Sequence, residues 1–542
     1  MRLRQKLWKP SRQRSDINYY LLPITINNSL LVWTLSPREA YEAEERYRIV
    51  KRSVDARQRE LKVHLTLLAD DQGRPLPKDA PVPLYAPPVF QDVHHADRQA
   101  YIIGAGPAGL FAALTLLEHG IRPVIFERGK DVSARKVDIA TLNRNLGLNI
   151  ESNYCFGEGG AGTFSDGKLF SRSKKRGNMQ RVMELFHYFG ANDGVLYEAH
   201  AHIGSDRLPA IIRAMRECIL EHGGEIHFNT CVDEELYHSL RAPSLRGLGE
   251  SECVPVILAI GHSAHDTYRM LASEGVLLEP KGFAMGVRVE HPQALINRLM
   301  YHNPSPETVQ LVGNASYSLV TQVHGRGVYS FCMCPGGHIV PAGSSAESCV
   351  VNGMSASHRN SPFANSGIVI EIRPEDLINA QCVMHNAQCV MRNGECISTL
   401  EFQEWLEHEA FLHGAPASVA PAQRLRDFVE GRESRNLPPC SYLPGIRSSR
   451  LDEWLPPMIG ARLQQGFRDF DRKYRGFLTN EAVILGVESR SSSAVRIPRD
   501  PDTLQSVSTP NLYPCGEGAG YAGGITSSAL DGINAALAIA QQ

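Results

Sequence analysis

Residues Tyr101–Arg128 read YIIGAGPAGLFAALTLLEHGIRPVIFER, a strand, a glycine-rich turn, a helix and a second strand in immediate succession. Tyr101, Ile102 and Ile103 form the first apolar strand. Gly104, Gly106 and Gly109 follow as G-x-G-x-x-G. Leu110, Leu114 and Leu117 share one face of a helix that runs to His119, with Gly120 as its C-cap. The strand Pro123–Phe126 then ends on Glu127, about 20 residues past the glycines. Gly104 permits the tight turn, Gly106 lets backbone approach a pyrophosphate, and Gly109 lets helix and strand pack closely. The helix N-terminus offers free N–H groups and partial positive charge to phosphates. An acid after the second strand accepts hydrogen bonds from both ribose hydroxyls and disfavours a 2′-phosphate. Ala108 within the turn and Arg128 beside the acid complete the nucleotide-contact set expected here.

The far end of the chain indicates which nucleotide. Residues Asn511–Asp531, NLYPCGEGAGYAGGITSSALD, read as a strand, a second glycine-rich turn and a helix opening near Thr526. Two such turns at opposite ends of a long chain resemble the flavoproteins of the glutathione-reductase-like class, whose last strand and helix return to the first sheet. That resemblance implies FAD. It places Gly516 and Glu517 at the ribityl or pyrophosphate region, and Gly524 and Ile525 at a helix N-terminus aimed at the flavin pyrimidine ring. A helix dipole there stabilises negative charge on the reduced ring. Val256–Gly261, VILAIG, fits a buried strand that closes over the cofactor at Gly261.

With 542 residues a single core is improbable on size grounds, and three zones follow. Residues 1–97 hold a basic tail (Met1–Arg14), an extended segment (Tyr19–Leu35), an amphipathic helix (Pro37–Lys51), a strand (Leu61–Leu68) and a Pro-rich linker (Gly73–Pro88), together a small α+β domain. Residues 98–277 and 479–542 form the two parts of an FAD-binding α/β Rossmann domain, and 278–478 an inserted α+β substrate domain. The net charge of −2 argues against a nucleic-acid partner. No apolar run reaches the roughly 18 residues a membrane span needs. Twelve scattered cysteines show no disulfide-framework spacing, which suits the cytoplasm.

Several further stretches carry a family resemblance: KRSVDAR (Lys51–Arg57), GEGGAGTFSDGKL (Gly157–Leu169), GHSAHDTY (Gly261–Tyr268), FAMGVRVEHPQ (Phe283–Gln293), FCMCPGG (Phe331–Gly337), VNGMS (Val351–Ser355), APAQRLRDF (Ala420–Phe428) and YPCGEGAGYAGGITS (Tyr513–Ser527). Together they resemble the uncharacterised FAD-dependent dehydrogenases of bacteria, over roughly Arg48–Gln542. The resemblance implies an FAD oxidoreductase fold with an inserted substrate domain and a small N-terminal domain, and it implies no substrate. Two departures stand out. His265 occupies a position where that pattern has Arg, and Ala380–Asn393 is a tandem seven-residue duplication (AQCVMHN, AQCVMRN).

The remaining polar groups divide into cofactor and substrate candidates. The glycine-rich loop Gly157–Lys168, with Gly160 and Ser165 expected at the cofactor, can form an anion-binding concavity of backbone N–H groups. Lys168 is read as solvated, with phosphate or flavin contact as the alternative. Cys332 and Cys334 lie two apart in a strand pattern. No helix N-terminus lowers their pKa there, so packing or pocket lining is expected over a dithiol relay or a metal site. The seven-residue spacing of Cys382, Cys389 and Cys396 follows from the duplication. Arg288 and Glu290 share one face of a strand, as a surface ion pair or as a substrate-orienting pair with His291 as acid/base. Asp266 suits a first helical turn near His262.

No second strand–G-x-G-x-x-G–helix unit is present, so NAD(P)H is expected only as a transient visitor to the cleft. The function expected is an FAD-dependent oxidoreductase moving a hydride between FAD and a small molecule, with no catalytic residue assigned, no metal and no membrane. The alternatives are a flavin-dependent RNA-modifying or lipid-reducing enzyme, or a non-catalytic FAD-binding redox sensor or scaffold.

Overall fold

The computed structural model describes residues 29–82, 84–170, 177–242, 253–380 and 397–542. The basic tail, the start of the first extended segment, and the duplication with Cys382, Cys389 and Cys396 lie outside the described residues. Among those described, no helix is long and apolar enough to cross a membrane.

The N-terminal unit is a three-stranded antiparallel sheet in which Lys62–Ala69 lies between Ser29–Leu35 and Ile49–Asp55. Val63, Leu65, Leu67 and Ala69 point inward at every second position. The helix Pro37–Arg46 starts at a capping box, in which Ser36 Oγ accepts from the Glu39 N–H and Glu39 accepts from the Ser36 N–H. It ends earlier than the expected Lys51. Tyr47 is already extended, and Ile49–Asp55, with β-branched Ile49, Val50 and Val54, continues as a strand. Arg52 on that strand pairs with Glu44 (2.7 Å) and Glu198 (3.3 Å), so it ties this unit to the next.

The nucleotide domain is built on a five-stranded parallel sheet in the order Leu512–Pro514, Val256–Leu258, Gln99–Ile103, Arg122–Phe126, Glu225–His227. The last strand of the chain thus sits in the sheet begun by the first glycine motif. The helix Pro107–Glu118 is apolar all round and buried because it lies between this sheet and the C-terminal helix Ile525–Ala540. Two glycines set the spacing. A Cβ on Gly109 would lie 1.9 Å from the Gly104 carbonyl oxygen, and one on Gly532 would lie 2.0 Å from that of Ala108.

The insert is a seven-stranded sheet: Val320–Val323, Arg326–Cys334, Phe363–Ile372, Phe283–Pro292, Val483–Glu488, Ala420–Arg424, Ile446–Ser448. Neighbours are antiparallel except for the last two. Val483–Glu488 belongs to this sheet, so the insert runs past the expected boundary at residue 478. An apolar run such as VILGVE fits a buried strand of either sheet, and only its partner Phe283–Pro292 decides which. Entry and exit of the insert are themselves joined, since Glu279–Pro280 pairs antiparallel with Val495–Arg496.

Candidate functional site

A cleft of about 380 Å³ opens where the parallel sheet meets the insert. Gly104, Gly106 and Ala108 form one wall with Gly160, and Gly516, Glu517, Gly524 and Ile525 form another. Glu127, Arg128, Ser165 and Gly261 also line it. Gly109 does not, because its place is the helix–strand contact described above. From the insert side come Phe331, Cys332, Asn352, Arg490 and Ser491.

Two helices, Pro107–Glu118 and Ile525–Ala540, begin at the cleft on Gly106 and Gly524, and neither has a side-chain cap. At the C-terminal helix the Gly524 N–H is taken by Glu517, and the first-turn N–H groups that follow each glycine lie at the cleft, where such groups favour an anion. A Cβ on Gly106 would meet only the Gly160 Cα, at 3.9 Å, so two backbone loops face each other across an open gap. A bare-backbone gap flanked by two helix N-termini fits a dinucleotide pyrophosphate.

Glu127 does more here than face a ribose. It is buried, and its carboxylate accepts from the N–H groups of Ala105 (2.8 Å), Gly129 (2.9 Å) and Gly157 (3.0 Å). One acid therefore holds three loops together at the cleft. Glu127→Ala strands these donors at about 1–3 kcal/mol each where water cannot follow. We expect thermal stability of the apoprotein and FAD affinity to fall together. A melt of the apoprotein unchanged beside weaker FAD binding would assign the acid to the ribose alone.

Arg135 and Glu158 were not foreseen. Arg135 is fully buried and donates to the carbonyls of Asn153, Tyr154, Gly157 and Glu158, which clamps the start of the glycine-rich loop Gly157–Lys168. Burial pushes its pKa down to about 10. Its acceptors are backbone carbonyls, which carry no residue signature, so sequence offers no sign of the clamp. Glu158 Oε2 accepts from the Val132 N–H and from Arg216, while Oε1 is buried and has no hydrogen-bond partner among the described residues. Burial raises its pKa from 4.5 to about 7 against these contacts. A folded pKa above the unfolded one means stability present below pH 4.5 and lost as pH rises through about 7. Glu158→Gln is expected to flatten stability across that window in denaturant titrations at several pH values. An unchanged pH slope would contradict this.

Other expected residues are engaged locally. Ser165 Oγ donates to the Gly162 carbonyl and accepts from the Gly167 N–H, so it shapes the loop. Arg128 stacks 4.2 Å over Phe156 and pairs with Glu151 and Asp266; the latter stands in the first turn of the helix His265–Ser273. Glu517 accepts from the Gly524 N–H and meets His262 Nδ1 at 2.9 Å, while His262 Nε2 lies 3.0 Å from the Arg490 carbonyl. Burial opposes ionisation of Glu517, but His262, the Gly524 N–H and Lys281 together hold the carboxyl below its ordinary range. Asp531, also unforeseen, accepts from the Gly516 N–H and pairs with Arg499, which fixes the second glycine turn to its helix. His265 contacts Glu404, and Arg269 one turn later supplies the cation to the same acid.

The strand residues Arg288, Glu290 and His291 are neither a surface pair nor part of the cleft. All three are buried in the insert. Arg288 pairs with Glu488 (2.9 Å) and donates to Asn365, Asn352 and the Cys332 carbonyl. Glu290 accepts from the Ser441 N–H. His291 Nε2 lies 2.9 Å from the Phe477 carbonyl, and burial lowers its pKa to about 4, which removes it from acid/base work near neutrality.

Lys168 is not a freely solvated lysine. Its Nζ lies 3.5 Å from Asp166, 3.5 Å from Cys334 Sγ and 3.9 Å from Cys332 Sγ. Asp166 is buried and also pairs with Arg359 (2.6 Å). Burial opposes its charge, yet Lys168 and Arg359 hold its carboxyl at about 2. The two thiols interact strongly. Cys334 Sγ donates to the Cys332 carbonyl (3.3 Å), and the neighbouring Cys334 thiol, with Lys168 and Arg288, lowers the Cys332 pKa against burial. The Cys332 thiol and burial raise that of Cys334. The lowering at Cys332 comes first from Cys334 and then from Lys168 on another loop and from Arg288, groups that the strand spacing of the two cysteines does not announce.

The glycine-lined gap and the returning C-terminal helix define an FAD-binding flavoprotein. Residues 97–140 match the family described as FAD binding domain, and residues 282–491 that described as FAD-dependent protein, C-terminal domain-like. An uncharacterized protein of Clostridium beijerinckii (strain ATCC 51743 / NCIMB 8052) is 40% identical over 438 residues, which is 80% of this chain and 79% of that one. The chain belongs to this family of FAD-dependent proteins, and its cofactor is FAD. Among solved structures, CtdE in complex with FAD shares 11% identity with a TM-score of 0.27, covering 82% of this chain and 84% of that one. The flavin-dependent brominase Bmp2 shares 13% with a TM-score of 0.34, covering 82% and 78%. Neither likeness bears on the reaction.

Proposed function

We propose that this protein is an FAD-dependent oxidoreductase, a dehydrogenase in the broad sense, that moves a hydride between FAD and a small molecule held beneath the insert. The observation that supports the reading is a shared cleft: nucleotide-binding loops form one side, and the insert adds Phe331, Asn352, Arg490 and Ser491 on the other. FAD supplies the two-electron acceptor; the chain's part is to hold it, exclude water and orient a reacting bond. We read the arrangement as of the glutathione-reductase-like class and the cofactor contacts as the 13 positions from Gly104 to Ile525; that all of them but Gly109 line the cleft supports this. Among the described residues the five-stranded sheet is the one all-parallel sheet, so a nicotinamide cofactor would share the substrate cleft. Nine unpaired described cysteines accord with a reducing, cytoplasmic setting.

Anaerobic mixing of the holoprotein with NADH or NADPH, followed at the flavin absorbance, tests this. Bleaching is expected with one of them, then recovery with turnover on a panel of enones, quinones and disulfides. A photoreduced protein that none of these compounds reoxidises would contradict hydride exchange and favour a sensor.

A further inference from the structure

The cluster of Lys168, Cys332 and Cys334 sits where the two domains meet, with Lys168 and Cys332 on the wall of the cleft. The strand carrying both thiols is irregular. Its ladder runs in register to Phe331 opposite Gly367 and resumes at Cys334 opposite Asn365, so two residues bulge against one. Cys332 takes a left-handed backbone, φ 45°, which costs an L-residue about 1–3 kcal/mol and tends to mark functional sites. The bulge separates the environments of the two thiols. Cys332 lines the cleft, whereas Cys334 is buried beneath it with Arg288 3.7 Å from its sulfur.

The charges around the pair leave an excess. Arg288 is matched by Glu488, and Arg359 by Asp166. His202, the nearby imidazole, is held toward its neutral form by burial and by Arg359. Lys168 thus contributes the positive charge that no carboxylate fully claims, although Asp166 lies 3.5 Å away. A sulfur anion at Cys332, on the cleft wall with Lys168 Nζ 3.9 Å away, completes the balance, while the Cys334 thiol donates to the Cys332 carbonyl (3.3 Å).

We propose that Cys332 is a reactive thiolate, paired with Lys168, that forms a mixed disulfide with a small disulfide entering the cleft. The Cys332 sulfur anion attacks one substrate sulfur, a new S–S bond forms, the substrate S–S bond breaks, and the other half leaves as a thiolate. Charge and electrons balance without an added oxidant or reductant. The exchange stands apart from the hydride reading, because it needs no reduced flavin.

The test uses the holoprotein with oxidised flavin, treated with dithiothreitol and then freed of it anaerobically. In a short iodoacetamide pulse at about pH 6–7, peptide mass mapping is expected to show Cys332 alkylated roughly tenfold faster than the partly exposed Cys155, Cys218 and Cys231. Oxidised glutathione should leave its adduct on Cys332. Lys168→Met should slow alkylation about tenfold at the same pH, and Lys168→Arg should keep it fast. Labelling of Cys332 no faster than the other three, or equally fast in Lys168→Met with FAD retained, would overturn the proposal. If Lys168→Met does not fold, the parent profile decides: titration of Cys332 reactivity at or above the free-cysteine value of about 8.5 overturns it as well.

Discussion

Gly106→Val is expected to lower FAD affinity at least a hundredfold, about 2.7 kcal/mol, while leaving the fold in place. Gly106 has φ −73° and ψ −175°, an extended backbone that valine adopts without strain. The added Cβ would meet no protein atom closer than the Gly160 Cα at 3.9 Å. The isopropyl group therefore projects into the gap that the two glycine loops leave between them, and the folded apoprotein has little reason to object. Titration of apoprotein with FAD, beside a thermal melt of the same apoprotein, separates the two effects. Parent-like affinity would mean that the cofactor lies elsewhere; a collapsed melt would mean that the gap is structural.

Arg288→Met is expected to cost about 3–5 kcal/mol of stability without touching the cleft directly. The guanidinium is fully buried, and its loss leaves the Glu488 carboxylate in the core without its cation. Asn365 Oδ1 and the Cys332 carbonyl lose donors at the same time. Most of the cost lies in the stranded charge rather than in the pair itself, so the double variant Arg288→Met, Glu488→Leu should recover a good part of it. Denaturant unfolding of the three proteins measures this. A single variant within about 1 kcal/mol of the parent, or a double variant worse than the single, would contradict it.

The nucleotide domain was legible because its signals are local. The glycines of Gly104–Gly109 and Gly516–Gly524 announce turns, and strand and helix periods flank them directly. The Rossmann sheet and the cleft walls follow from those stretches. What sequence did not show depends on partners far apart in the chain. Arg288 reads as half of a pair with Glu290 because strand residues two apart share a face, yet its acid is Glu488, delivered by a neighbouring strand. VILGVE could close either sheet, and the domain boundary moved accordingly. Glu127 was readable as an acid at the right place, but its three N–H partners come from separate loops. Lys168 and the thiols are 164 and 166 residues apart, and only the meeting of two domains brings them within 4 Å.

Release of the chromophore tests most directly whether FAD is held without a covalent bond in the glycine-lined cleft. The purified protein, heated or acidified and then cleared of precipitate, should yield its yellow colour to the supernatant, and chromatography should identify FAD. FMN in the supernatant, or a protein that remains colourless after reconstitution with FAD, would contradict it.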